Sequence, residues 1–236
     1  MTDFLLIHGS CHGAWCWRDV VPALEAKGHT ARAIDLPSHG ADTTDPATVT
    51  LDTYAEAIAQ QVQQGTVLVG HSAGGYSITA AAERVADKIR CLIYLCAYVP
   101  TQGKSLADLR RSAERQLLID AVVKGESGKT FTIDPDKAVA KFFADVPPET
   151  ADWAVSQLGP QPIVPQETVI DLINSPIVPK RYIRCTQDGA VPYELQVAMS
   201  ADFPQNHVVT MDTSHSPFLS APDALADELI RLSEED

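Results

Sequence analysis

A chain of 236 residues with 31 acidic and 18 basic side chains carries a net charge of −13, a balance that disfavours nucleic acid and suits solubility. Its length and 45% hydrophobic content allow one large layered domain, while no apolar run approaches the ~18 residues of a membrane span. The opening residues lack a basic stretch and cleavage site, and the five cysteines (Cys11, Cys16, Cys91, Cys96 and Cys185) are odd in number without metal-ligand spacing, so a cytoplasmic, reduced chain is expected.

In chain order, an apolar strand over 4–7 runs into the glycine-bearing loop His8-Gly9-Ser10-Cys11-His12-Gly13-Ala14-Trp15. Such a loop can turn main-chain N–H groups inward, and Ser10 is the candidate donor. An amphipathic helix over 17–27 follows, closed by Gly28. Next comes a strand over 30–34 ending at Asp35, read as a loop-organising residue because it precedes the candidate nucleophile. Thr50 is placed to cap a helix running to about residue 64.

Residues 66–69 read as a short buried strand and 73–86 as an alanine-rich helix, with Gly70-His71-Ser72-Ala73-Gly74 between them. This is G-x-S-x-G, a sharp turn that lifts a serine above a parallel sheet; small residues are required where a side chain would meet the backbone. Ser72 is therefore the candidate nucleophile, and the N–H of Ala73 the second oxyanion donor. An apolar strand over 88–96 completes three strand–helix units, the pattern of a layered α/β sheet.

Residues 100–179 break that rhythm. Helices are expected over 105–124, 135–143, 149–158 and 166–174, with prolines and glycines between them and no convincing buried strand, so the segment reads as a helical cap. Trp153, Phe142, Phe143 and Leu158 are candidates to line a pocket, with His12 near the oxyanion loop. The cap is expected to choose the substrate while contributing nothing to the catalytic groups.

Strands over 180–185 and 207–211 resume the pattern, each followed by a loop: Asp188-Gly189 after the first, Ser214-His215-Ser216-Pro217 after the second. A serine hydroxyl needs a base, and His215 alone among seven histidines combines a late position, a post-strand loop and a following helix. Asp188 is the candidate acid that orients it, ahead of Asp212, which lies three residues from His215. A final helix is expected to about residue 232, with the acidic tail 234–236 frayed.

The motifs His8 to Trp17, Gly70-His71-Ser72-Ala73-Gly74-Gly75 and His215-Ser216-Pro217-Phe218 together resemble the plant methylesterase and hydroxynitrile lyase branch of the α/β-hydrolases and its bacterial relatives. The resemblance covers residues 1–99 and 180–236, and is weak across 100–179. It implies an α/β-hydrolase core of a mostly parallel sheet flanked by helices, a cap inserted after the strand ending near Cys96, and ester hydrolysis through an acyl-enzyme. In that family pattern Ser72 is nucleophile, Asp188 acid, His215 base, and Ser10 and Ala73 donate to the oxyanion. The lyases of the branch carry threonine where this chain has Gly9 and lysine where it has Ser216, which favours hydrolysis over cyanide release. A thioesterase, an amide hydrolase or a binding protein on the same fold are the alternatives. No metal or organic cofactor is expected; the partner is a small-molecule ester, with neither nucleic acid nor membrane, and the chain a monomer or homodimer.

Overall fold

In the computed structural model, which describes residues 1–234, six parallel strands form the central sheet. They are β1 (Asp3–Ile7), β2 (Thr30–Ile34), β3 (Thr66–His71), β4 (Ile89–Leu95), and, after the insertion, two strands over Lys180–Cys185 and Val208–Met211. The fraying expected of Glu235 and Asp236 lies outside the described residues. The order across the sheet is β2-β1-β3-β4, then Lys180–Cys185 and Val208–Met211 at the far edge. The chain thus begins inside the sheet, steps outward to β2, and returns on the other side of β1. Such a reversal leaves a crevice at the carboxyl ends of β1 and β3, where Ile7 stands beside Gly70.

Alternation along each strand divides the core in two. Phe4, Leu6, Val67, Val69 and Ile93 face one side, with Trp17, Leu225 and Leu229; Leu5, Ile7, Leu68, Leu92 and Tyr94 face the other, with Ile58 and Ile78. Helices α1 (Val20–Ala26) and the C-terminal helix (Pro222–Glu234) pack together, as do α2 (Leu51–Ala59) and α3 (Gly74–Val85). Thr50 caps α2 reciprocally with Thr53, and Gly28 follows α1 at φ 86°. No helix among the described residues is long and apolar enough to cross a membrane.

The insertion is not wholly helical. Helix α4 covers only Leu106–Ser112, because the Ser112 hydroxyl donates to the Leu109 carbonyl and the Gln116 amide to those of Arg110 and Ala113, closing the helix end. The rest of the expected helix 105–124 ends in β5 (Val122–Lys124), which pairs antiparallel with β6 (Thr130–Ile133). Gly125 and Gly128 turn that hairpin, and β7 (Gln161–Pro162) extends it to three strands. Helices α5 (Pro135–Phe142) and α6 (Pro148–Gln157) lie where expected, whereas α7 covers only Val164–Glu167. Continuing past the insertion, Lys180–Cys185 is β8, Val208–Met211 is β9, and α8 (Tyr193–Met199) between them follows the Asp188 loop.

Candidate active site

Ser72 sits between the last residue of β3 and the start of α3 with φ 54°, left-handed backbone that a non-glycine residue adopts at a cost. Its neighbours show why the turn closes only with small residues. A Cβ on Gly74 would come within 2.7 Å of the His8 carbonyl oxygen, one on Gly70 within 2.7 Å of the Gly74 oxygen, and one on Gly75 would strike the Tyr98 oxygen.

Asp188 and His215 meet at the same sheet edge, with His215 Nδ1 2.8 Å from Asp188 Oδ2 and both side chains buried. A carboxylate oxygen only accepts, so Nδ1 carries the proton and Nε2 is the nitrogen left for chemistry. The acid is held on every side. Its Oδ1 accepts the N–H groups of Ala190 (2.7 Å) and Val191 (2.8 Å), and Oδ2 also accepts the Gln196 amide (3.0 Å). Gln196, buried in α8, ties that same amide to the Val191 carbonyl and accepts the Cys185 N–H. Asp212 faces elsewhere: exposed, it accepts from the Thr186 hydroxyl and the Gln187 amide.

The loop after β1 is arranged by two imidazoles. His8 Nδ1–H donates to the Gly9 carbonyl at 2.8 Å while its Nε2 accepts the Leu36 N–H, and His12 Nδ1–H donates to the Ser10 carbonyl at 2.7 Å. The Gly9 carbonyl and the Ser10 N–H belong to one trans peptide and point in opposite directions, so pinning the first aims the second away. The Ser72 carbonyl likewise accepts from Gly75 and Tyr98, which turns the Ala73 N–H outward at the positive end of α3. Neither the Ser10 nor the Ala73 N–H donates to another group among the described residues. His12 is not part of the wall of the cavity at Ser72: it is buried against Trp15, Phe142 and Phe143, and burial pushes its pKa down to about 3.

One further histidine and one cysteine, His71 and Cys96, frame the edge. His71 Nε2–H donates to the His215 carbonyl at 2.9 Å, and Cys96, at φ 35°, places Sγ 3.7 Å from His215 Nδ1. His71, Cys96 and His215 bring one ligand atom each within 4.8 Å of one another, a spacing that could hold a metal. His71 Nε2 and His215 Nδ1 already hold hydrogen bonds, and burial raises the Cys96 thiol well above its ordinary pKa, which disfavours the thiolate that a cation would bind. Asp35 organises a loop, as expected, by accepting the N–H groups of Ala14 and Ala41.

The insertion reaches the His215 ring and the loops of Asp188 and His215 directly, contrary to the expectation that it contributes nothing to the Ser72, Asp188 and His215 set. Phe142 stacks on the His215 ring at 5.4 Å between centroids, and Asp145 accepts the Ser214 N–H at 2.8 Å together with the Ser214 hydroxyl. Gly189 lets α5 approach the acid loop, since a Cβ there would lie 2.7 Å from the Ala140 oxygen. Gln161 accepts the Cys11 N–H, the Gly159 N–H donates to the Cys11 carbonyl, and Gln166 donates to the Ser10 hydroxyl at 2.7 Å.

Ser72 opens into a narrow cavity of about 20 Å³ walled by Phe142, Leu106, Leu118, Phe131 and Ile133. Of the four expected wall residues only Phe142 stands there. Phe143 is fully buried, Leu158 packs against the core, and Trp153 meets Trp15 edge-on with Arg18 over its ring, so these three serve packing. The expected helix over 105–124 hides the hairpin residues, whose β-branched runs on either side of Gly125 and Gly128 are the sequence signal of a hairpin.

Residues 4–228 match the model of the alpha/beta hydrolase family. The chain belongs to that family. Among similar proteins, it is 33% identical to esterase PIR7B of Oryza sativa subsp. japonica and 30% identical to methylesterase 1 of Arabidopsis thaliana, each match covering 98% of this chain and 95% of the relative. A solved structure, a pyrethroid hydrolase from Sphingobium faniae JZ-2, superposes with a TM-score of 0.88 at 29% identity, covering 99% of this chain and 97% of that one. This alpha/beta hydrolase thus carries the elbow, the Asp–His pair and the pinned loop on one edge of its sheet.

Proposed function

We propose that the chain is a carboxylic ester hydrolase in which Ser72, His215 and Asp188 act as nucleophile, base and acid. The Asp188–His215 bond at the carboxyl edge that also carries strained Ser72 is the observation on which this rests. In the proposed cycle Ser72 Oγ attacks the ester carbonyl and gives its proton to His215 Nε2. The imidazolium is stabilised by Asp188, and the oxyanion by the N–H groups of Ser10 and Ala73. His215 returns the proton to the departing alcohol; water, deprotonated by His215, then releases the acid from Ser72. The relatives' names, esterase and methylesterase, point to small esters, methyl esters among them.

Residues 1–99 and 180–236 would form the catalytic core and 100–179 the lid that excludes water. Five free, buried cysteines suit a reducing cytoplasm. A lyase role is disfavoured at one point in particular. A Cβ on Gly9 would lie 2.8 Å from Ser72 Cβ and 2.9 Å from His71 Nδ1, so the threonine of the lyases does not fit this loop as it stands. Hydrolysis of short methyl and aryl esters, with cyanide release from mandelonitrile at the uncatalysed background, is the expected assay result. Robust cyanide release without ester cleavage would reject the proposal.

A further inference from the structure

We propose that Arg110 selects esters bearing a second, anionic group, a carboxylate carried on the acyl or alcohol portion; this rests on the ester-hydrolase function proposed above and names its substrate class. The cavity at Ser72 holds little more than one water, so most of a substrate must lie elsewhere. Beside it is a chamber of about 320 Å³, within the size range of small-molecule sites, and the two share Tyr98, Arg110, Leu118 and Val122 as common wall. Arg110 therefore stands at the junction between the reacting serine and the room for the rest of the molecule.

The charge of that chamber is opposite to the protein's own. Four cations (Arg110, Arg111, Arg115 and Lys124) line it and no aspartate or glutamate does, in a chain of net charge −13. Two of the four are neutralised. Arg115 makes a bidentate pair with Glu194 at 2.7 Å, and Arg111 lies 3.4 Å from Asp108 and 3.9 Å from Glu167. Arg110 is half-buried and has no carboxylate partner among the described residues. The last turn of α4 favours a cation through the helix dipole, which accounts for its place in the sequence. It does not account for an arginine lining a partly apolar chamber, where an unpaired charge is costly until an anion joins it. A planar fork of N–H donors fits a carboxylate bidentately, and Lys124 at the chamber's rim adds to the attraction.

The test compares monomethyl succinate, glutarate and adipate with their dimethyl esters, by pH-stat, for wild type, Arg110→Gln and Arg110→Lys. For the best-fitting chain length, the monoester-to-diester ratio of kcat/KM should fall ~10- to 100-fold in Arg110→Gln, the scale of one charge-assisted hydrogen bond. The loss should lie chiefly in KM, and Arg110→Lys should recover part of it. A ratio that Arg110→Gln leaves unchanged across the series overturns the proposal. If no ester is cleaved, the hydrolase function fails instead, and calorimetry with adipate itself decides the anion site. Binding to wild type that Arg110→Gln abolishes sustains it; equal binding, or none, overturns it.

Discussion

Asp188 uses four acceptor directions at once, toward Ala190, Val191, Gln196 and His215, and so has little freedom to be anything but the partner of that imidazole. Asp188→Asn should leave the fold intact and lower kcat by about 10⁴, because an amide at that place favours the wrong tautomer of His215. Asp212→Asn, altering an exposed carboxylate held by Thr186 and Gln187, should change kcat by no more than about twofold. Steady-state kinetics on both variants decide the acid, and a larger loss in Asp212→Asn would show the assignment to be wrong. The placement of Ser72, Asp188 and His215 at one end of the sheet was legible from sequence because each follows a strand. Gln196 was not, since a glutamine in a short helix carries no motif, and its role exists only where α8 meets the acid loop. Nor could spacing reveal that His12 holds the Ser10 carbonyl.

At the scale of elements, the insertion braces the sheet edge that carries Ser72, Asp188 and His215. Strand β7 and helix α7 hold the loop after β1 through Gln161 and Gln166, and the turn after α5 holds the loop of His215 through Asp145. Asp145→Ala would leave the buried Ser214 N–H and hydroxyl short of an acceptor, at a cost of ~1–3 kcal/mol. It should also lower kcat by roughly tenfold or more, since small displacements of a catalytic base are expensive. Urea unfolding and kinetics would check both effects; a variant with lower stability and unaltered kcat would mean that Asp145 serves packing alone. The parallel strands were legible because buried strands are nearly continuous apolar runs. The insertion was less so: Val122–Lys124 and Thr130–Ile133 are short, and the second partner of Thr130–Ile133, Gln161–Pro162, is about 30 residues further on, a pairing no local pattern contains.

Across the whole molecule, burial has placed several neutral histidines beneath the active edge. His8 and His71 are held well below their ordinary pKa, His39 below it, and His12 at about 3, in each case chiefly by burial. Each binds a proton more readily in the unfolded chain, so their contribution to stability is fully present above about pH 6.5 and declines as pH falls from there toward 3. The urea midpoint should therefore drop between pH 7.5 and pH 5, before carboxylates such as Glu194, held at about 2 chiefly by its bond to Arg115, begin to titrate. A midpoint constant over that interval would contradict the buried, neutral rings. The central claim concerns Ser72, on which the elbow, the oxyanion donors and the Asp–His pair converge. Mass spectrometry after treatment with a fluorophosphonate tests it most directly. A covalent adduct should appear on the peptide containing Ser72, with activity lost in proportion, and Ser72→Ala should show neither adduct nor more than ~10⁻⁴ of wild-type kcat. Inactivation with the label on another residue, or full turnover by Ser72→Ala, would contradict the account.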